Sequence, residues 1–199
     1  MKLIIATLFL ASCANAQVLN IADTLGKGKV GVFAGTSALL VRDFTTINWS
    51  FAEAIYGVND RFDVYAGMST TTLLGQTQVA PVVGANINIL KSKVVNVSLF
   101  NILAIPMHRR QESSKVAWFT SVVASRTIQT GDYSWYAYTG YSAYVPIGNR
   151  ANTLFTPPGP VHNAPLGVAM PIGKWMIFAE YNLGGVQKIA AIGLSRTLN

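Results

Sequence analysis

Charged residues and long apolar runs are both scarce in this sequence of 199 residues. Only 12% of the residues are Asp, Glu, Lys or Arg, about half the share of an ordinary soluble domain. No stretch after the N-terminal region reaches the ~18 consecutive apolar residues that a membrane-spanning helix needs. An apolar composition without an apolar run is typical of membrane β-barrels, in which lipid-facing and interior-facing residues alternate.

Cysteine and histidine are nearly absent. Cys13 is the one cysteine, and if it is removed with an N-terminal signal, the mature chain has no disulfide, thiolate ligand or cysteine nucleophile. The two histidines, His108 and His162, are too few for a histidine metal cluster. We therefore predict neither a metal site nor a cofactor.

The first residues have the features of an export signal. Lys2 precedes an apolar run at residues 3–11, and the small residues Ala14-Asn15-Ala16 follow. Leu10-Ala11-Ser12-Cys13 resembles the lipobox of bacterial lipoproteins, so lipidation at Cys13 is the alternative. The predicted organisation is a signal peptide at residues 1–16, a short N-terminal lead-in at 17–28 and a single barrel domain at 29–199.

A two-residue period of apolar and polar positions marks most of the chain after the lead-in. Between residues 61 and 74, for example, Phe62 and Val64 alternate with Asp63 and Tyr65, which predicts a strand with one apolar and one polar face. Ten such strands are predicted, at residues 29–41, 46–57, 61–74, 78–90, 94–107, 116–128, 133–147, 165–172, 174–183 and 188–198.

The connections between these strands differ in length. Tight turns rich in Asn, Asp, Gly and Ser are predicted at residues 58–60, 91–93, 129–132 and 172–173. Longer polar connections lie between them at 108–115 and 148–164, and shorter ones at 42–45 and 75–77. This asymmetry favours an all-β, antiparallel, up-and-down transmembrane β-barrel of ten strands, or eight as the alternative, with the N- and C-termini in the periplasm.

The four tryptophans lie near predicted turns, on the phase of each strand that we assign to lipid. They predict two aromatic girdles at the membrane surfaces, formed by Trp49, Trp118, Trp135 and Trp175. The alternative places them in the core of a soluble sandwich or lipocalin-like barrel.

Glu53 shares the phase of Trp49 and Phe51, and an acid is costly in lipid. Either a bulge at residues 52–54 turns Glu53 inward, or the phase is reversed there.

At this level of architecture the chain resembles the bacterial small outer-membrane β-barrel superfamily. The stretches 56–67 and 171–181 carry the resemblance, each with a strand, a turn and the next strand. It implies a location in the bacterial cell outer membrane, and outer-membrane lipid, lipopolysaccharide and the barrel-assembly machinery as partners. One departure is the C-terminus, which ends in Asn199 where such proteins usually end in phenylalanine.

A barrel of ten strands encloses a narrow lumen. The polar residues predicted to face it are Asp63, Tyr65, Asn86, Asn88, Tyr136, Tyr138, Ser142, Tyr144, Lys174 and Glu180. These features predict a narrow-lumen channel or small-solute porin. The alternative is a non-conducting structural, receptor or adhesin-type barrel that acts through its extracellular loops.

The formal net charge is +7, but no basic run indicates a nucleic-acid partner. Basic residues in the predicted outer loops are candidates for contact with lipopolysaccharide phosphates: Arg42, Arg109, Arg110, Lys115, Arg150 and Lys188. Solvated loops without a particular partner are the alternative.

We predict no catalytic residue and no enzyme activity. A lipid A-modifying hydrolase or a protease-type barrel is the remaining alternative, because His108 lies beside Glu112, Ser113 and Ser114.

Overall fold

Ten antiparallel strands form a closed barrel in which each strand pairs with its neighbours in sequence and the first pairs with the last. The structure, a computed structural model, describes residues 21–40, 47–73, 76–105, 107, 116–147, 161–184 and 187–198. The strands are β1 (Val30–Leu40), β2 (Ile47–Asn59), β3 (Phe62–Leu73), β4 (Gln76–Lys91), β5 (Asn96–Ala104), β6 (Val116–Thr130), β7 (Tyr133–Ile147), β8 (Val161–Ile172), β9 (Trp175–Gly184) and β10 (Gln187–Thr197).

The predicted all-β, antiparallel, up-and-down barrel is confirmed, with ten strands rather than eight. Most strand ends lie within two residues of their predicted positions. The largest difference is β8, which begins at Val161 instead of Pro165, because the alternation continues through exposed His162 and buried Asn163. Within the described residues, no helix is long and apolar enough to cross a membrane.

The two ends of the barrel differ, and we call them the turn end and the loop end. The turn end carries the tight connections β2–β3, β4–β5, β6–β7 and β8–β9, together with the start of β1 and the end of β10. Gly131 and Gly173 adopt left-handed φ angles of 58° and 61° in two of these turns, a conformation that glycine adopts without steric cost. The loop end carries the other five connections, which lie largely outside the described residues.

As predicted, apolar residues of β3 face outward and polar residues of β3 face the interior of the barrel. Val64 and Met68 are exposed on the outer face, whereas Asp63, Tyr65 and Ser69 are buried inside the barrel. Apolar side chains are exposed on the outer face of the other strands as well, among them Val83, Val122, Leu166, Ile177 and Ile192. An apolar outer face and an interior that contains polar residues are the arrangement expected of a barrel in lipid.

The phase assigned to β2 is wrong. Trp49, Phe51, Glu53 and Ile55 are all buried inside the barrel. The pairing of β2 with β3 is regular from Asn48 to Gly57, so the whole phase is reversed and no bulge turns Glu53 inward. The outer face of β2 carries small residues such as alanine, while its bulky residues fill the interior. Hydrophobicity alone therefore does not separate the two faces of this strand.

Trp49 is thus not a girdle residue. The other three tryptophans lie on the outer face, with Trp118 near the loop end and Trp135 and Trp175 near the turn end. Arg196 also lies on the outer face, with its guanidinium carbon 5.3 Å from the centre of the Trp175 ring. Their contact with membrane lipid remains a prediction.

Candidate functional site

The interior of the barrel is the candidate site, and aromatic side chains fill one part of it. We call this part the aromatic cluster: Phe33, Trp49, Phe51, Tyr65, Phe100 and Phe178. The rings of Phe33 and Phe51 pack edge to face with centroids 4.8 Å apart, and Trp49 stacks on Phe51 at 4.7 Å. These geometries are favourable for aromatic pairs. Its rings come from β1, β2, β3, β5 and β9 and narrow the lumen.

Small polar side chains occupy much of the rest of the interior. We call them the polar wall: Asn86, Asn88, Ser98, Ser121, Ser125, Ser142, Asn163 and Asn182, all buried on β4 to β9. Several of their atoms have no hydrogen-bond partner among the described residues: Asn86 Oδ1, Asn88 Oδ1, Ser98 Oγ, Ser142 Oγ, Asn163 Nδ2 and Asn182 Oδ1. A buried polar group without a partner costs about 1–3 kcal/mol. The described residues therefore leave part of the polar wall without partners.

Tyr138 and Glu180 lie beside this wall. The Tyr138 ring lies over Gly167 on the neighbouring strand, where an added Cβ would overlap it. Asn182 Nδ2 donates a hydrogen bond of 2.7 Å to Glu180 Oε1. Glycine at residue 167 therefore makes room for a large phenol ring that fills the lumen next to a buried acid.

Residues 21–28, which we call the inner segment, turn into the barrel at the turn end. Ala22 is fully buried. Its N–H donates to Ser125 Oγ at 3.1 Å, and its carbonyl accepts a hydrogen bond of 3.0 Å from Asn88 Nδ2. Because β6 lies opposite β1 in the barrel, the inner segment crosses the lumen from one wall to the other.

Two carboxylates hold the inner segment in place. Asp23 Oδ1 forms an ion pair of 3.0 Å with Lys91 Nζ, and the Asp23 carbonyl accepts a hydrogen bond from Asn86 Nδ2 at 2.8 Å. The N–H of Leu25 donates to both oxygens of Asp63, at 3.0 and 3.3 Å. The side chains predicted to line the lumen therefore bind a part of the same chain.

Glycines allow the inner segment to reverse direction. Gly26 and Gly28 have φ angles of 89° and 75°, which favour glycine. Gly57 lies so close to Gly26 that an added Cβ would overlap the Gly26 carbonyl oxygen. Backbone hydrogen bonds of 2.7 Å from Gly28 to Gly57 and 2.9 Å from Gly57 to Lys29 fix this approach.

A turn-end cavity and a central cavity lie among the described residues of the interior. The turn-end cavity, of about 270 Å³, lies between the inner segment and the strands β1 to β3 and β8 to β10. The central cavity, of about 10 Å³, lies within the aromatic cluster and reaches Glu53. Phe33 and Tyr65 line both cavities. The central volume is at the lower limit of what holds one water molecule.

Most of the residues predicted to face the lumen do so. Those buried on the inner face are Asp63, Tyr65, Asn86, Asn88, Tyr138, Ser142, Tyr144 and Glu180. Tyr136 shares their phase and is half-buried. Lys174 is an exception, because it lies exposed in the β8–β9 turn, at the rim of the turn-end cavity. The placement of Lys174 on the inner wall is therefore wrong.

Sequence reasoning leaves one feature of the interior open and misses another. For Glu53 it offers a bulge or a reversed phase, and the reversed phase is the one present in β2. It predicts only a short lead-in for the inner segment, although Gly26 and Gly28 beside the first strand are a signal for a reversal of the chain.

The other candidate residues lie largely outside the described part of the chain. This applies to Cys13, His108, Glu112, Ser113 and Ser114, to the loop residues Arg42, Arg109, Arg110, Lys115 and Arg150, and to the side chain of Lys188. His162 is described, and its Nδ1 shares a hydrogen bond with the Tyr141 hydroxyl on the outer face. No group of three or more His, Cys, Asp or Glu residues that could hold a metal ion occurs within the described ranges.

No protein-family model matches the chain, and no curated protein matches it. Among solved structures, it is similar to the KdgM porin, with 10% identity and a TM-score of 0.45 over 85% of this chain and 99% of that one. It is also similar to the NanC porin, with 12% identity and a TM-score of 0.45 over 85% of this chain and 100% of that one. An outer membrane channel from Pseudomonas putida F1 has 8% identity and a TM-score of 0.44 over 89% of this chain and 98% of that one. At such identities the likeness is one of fold alone.

Proposed function

We propose that this protein is an outer-membrane channel with a narrow lumen for ions or small solutes, and that the conformation described is closed. The observation that carries the proposal is the polar wall, whose buried oxygen and nitrogen atoms lack partners among the described residues. Water or a solute would supply those partners when the lumen opens.

A barrel with a purely structural role has no need of such a wall. Apolar residues, or polar residues that are all paired, would fill its interior at lower free energy. Six unpartnered amide or hydroxyl atoms in one lumen are therefore costly unless they serve a hydrated state. Ten strands leave space for only a narrow passage, which excludes a wide, general porin.

The apolar outer face supports a location in lipid. Outward tryptophans near both ends of the barrel fit the membrane surfaces, and the bacterial cell outer membrane is the compartment where such barrels occur. The turn end then faces the periplasm. Membrane lipid, lipopolysaccharide and the assembly machinery are the proposed partners.

Two obstructions would control passage. The first is the inner segment, held by Asn86 and Asn88 among others. The second is the aromatic cluster, whose members Phe33 and Tyr65 line both cavities. The inner segment is held by hydrogen bonds, one ion pair and the packing of Ile21, Ala22 and Leu25 against the core. Because it lies outside the sheet, we expect it to leave more readily than the packed rings.

Planar-bilayer recording tests this function. The wild-type protein should give brief single-channel openings, and the double variant Asn86→Ala, Asn88→Ala should open more often because the inner segment loses two hydrogen bonds. Asn48→Ala, an exposed position on the outer face, is the control and should behave as the wild type. A silent membrane with both the wild type and the double variant would overturn the proposal.

The second candidate is a non-conducting barrel that acts through its extracellular loops. The tight packing of the aromatic cluster favours it, since these rings close the lumen near its middle. This second candidate predicts no single-channel openings in the bilayer recording, the result that would overturn the channel proposal.

A further inference from the structure

Four polar side chains of the barrel interior bond to main-chain groups of the inner segment, and we call them the peptide seat: Asp63, Asn86, Asn88 and Ser125. Ser125 and Asp63 accept N–H groups of the segment at 3.1 and 3.0 Å. Asn88 and Asn86 donate to its carbonyl groups at 3.0 and 2.8 Å. Peptide chains of almost any sequence carry such donors and acceptors. The peptide seat therefore has the chemistry to bind a peptide main chain.

Side-chain contacts of the inner segment add a preference for certain residues. Ala22 is fully buried, so a larger side chain would displace its neighbours. Asp23 pairs with Lys91 at 3.0 Å. Leu25 packs against the core, and its Cδ1 would lie 3.0 Å from a Cβ added at Gly31. The site therefore favours a small residue, then an acidic residue, and an apolar residue two positions further on.

The occupant of the peptide seat is not part of the sheet. The ten strands close the barrel without the inner segment, and segments outside a cooperative sheet open at a lower free energy than the sheet itself. The turn-end cavity of about 270 Å³ lies directly beside the segment, because Asp23, Thr24 and Leu25 line it. The segment therefore has a way out of the seat that leaves the strands paired.

An empty peptide seat has four bonding groups to satisfy. Water can replace each bond singly, at a cost in entropy for every molecule that is held. One peptide restores all four bonds at the spacing that the inner segment already shows. A peptide is therefore a better substitute for the segment than a solute without alternating N–H and C=O groups.

We propose that the peptide seat binds short peptides that enter from the turn end, and that such peptides are a class of solute for this channel. The inner segment then occupies the seat as an internal copy of the ligand. The solute class rests on the proposed channel function. Peptide binding does not require conduction, so the two are tested separately.

Competition in the wild-type protein tests binding. The probe is the peptide Ile-Ala-Asp-Thr-Leu with blocked ends, which repeats residues 21–25 and has no trypsin site. Because a tethered segment has an effective concentration on the order of millimolar, the probe is added at about 10 mM to the barrel in detergent. It should displace the inner segment and accelerate trypsin cleavage after Lys27 severalfold.

A methylated probe is the control for this competition. A methyl group on its alanine nitrogen removes the N–H that Ser125 accepts from Ala22, so this peptide should have little effect on cleavage. No acceleration by the unmethylated probe, or equal acceleration by both peptides, would overturn the site.

Direct binding is measured on a variant with an empty seat. Ala22→Trp should expel the inner segment, because the position is fully buried, and heat-dependent gel migration shows whether the barrel is folded. Fluorescence polarisation then follows a dye-labelled probe. Adding Asn88→Ala or Asp63→Asn should weaken its binding severalfold, whereas Asp132→Asn, which changes an exposed acid in the β6–β7 turn, should not. Equal binding to all of these variants would contradict the site. If Ala22→Trp does not fold, the competition in the wild type decides.

Uptake into vesicles tests the solute class. The amount of probe inside vesicles that contain the barrel should rise several times faster than the amount of the methylated probe. Equal uptake of the two peptides, together with competition in detergent, would contradict the solute class and leave the binding site intact. Single-channel openings without competition in detergent would contradict the site and leave the channel intact.

Discussion

The aromatic cluster and the polar wall share one lumen, but they fill it in opposite ways. The rings of the cluster pack at favourable centroid distances of 4.7 to 5.3 Å. The polar wall consists of small side chains, several with unpartnered atoms. Under the proposed function, the cluster contributes stability, whereas the wall lowers stability and serves a hydrated state. Four substitutions test this contrast through their effects on the stability of the barrel and of the inner segment.

The largest effect is expected in the aromatic cluster. Phe51→Ala removes a ring that contacts both Phe33 and Trp49, and it should lower the free energy of unfolding by about 3–5 kcal/mol. Denaturant unfolding in detergent measures this change. Tyr56→Ala, on the same strand but exposed on the outer face, should cost clearly less. Equal losses for the two variants would show that the cluster is not a core.

A smaller effect is expected where Tyr138 covers Gly167. Gly167→Ala places a methyl group against the Tyr138 ring and should destabilise the barrel by about 1–3 kcal/mol through overpacking. The same substitution in a Tyr138→Ala background should be nearly neutral, because the ring is gone. Unfolding of all four members of this cycle provides the measurement. A loss that persists without the ring would contradict the packing described.

The inner segment should respond to a change at Asp63. Asp63→Asn leaves one acceptor for the Leu25 N–H where there were two, and it should destabilise the bound segment by about 1 kcal/mol. Trypsin cleavage after Lys27 should become faster, because the segment leaves the barrel more often. Asp132→Asn is the matched control, with no expected change. A cleavage rate equal to that of the wild type would show that Asp63 does not hold the segment.

The smallest effect is expected in the polar wall. Ser98 is fully buried and its hydroxyl has no partner within the described residues, so Ser98→Ala should leave stability unchanged or raise it by up to about 1 kcal/mol. Ser125→Ala is the contrasting variant, because Ser125 Oγ accepts a hydrogen bond from Ala22, and it should be destabilising. If the two variants lost stability equally in denaturant unfolding, Ser98 would have a partner in solution.

The neighbouring strands β2 and β3 show what a sequence of this kind can predict. In β3 one phase carries Asp63 and Ser69 and the other carries Val64 and Met68, so polarity separates the faces. In β2 each phase mixes apolar and polar residues, and the phase with the bulky Trp49 and Phe51 is the one that faces inward. The pattern could not decide this, because side-chain volume inside a narrow barrel depends on how the other strands fill it.

The strand order, the short turns and most inward positions were predictable because period and turn chemistry are local properties. The inner segment was not, since its bonds join Ala22 to Ser125 and Asn88, residues far apart in sequence. Nor could the alternation show that Phe33 of β1 would pack against Phe178 of β9. Such contacts depend on barrel closure, which brings distant strands together.

Thiol labelling tests most directly whether the polar wall lines a water pathway. Ser98→Cys is introduced after Cys13 is replaced by Ala, and vesicles are treated with a small water-soluble thiol reagent. Slow modification is expected, with a faster rate when Asn86→Ala and Asn88→Ala release the inner segment. Val83→Cys on the outer face should stay unmodified because lipid covers it. If Ser98→Cys also stays unmodified in both backgrounds, the polar wall is not part of a water pathway.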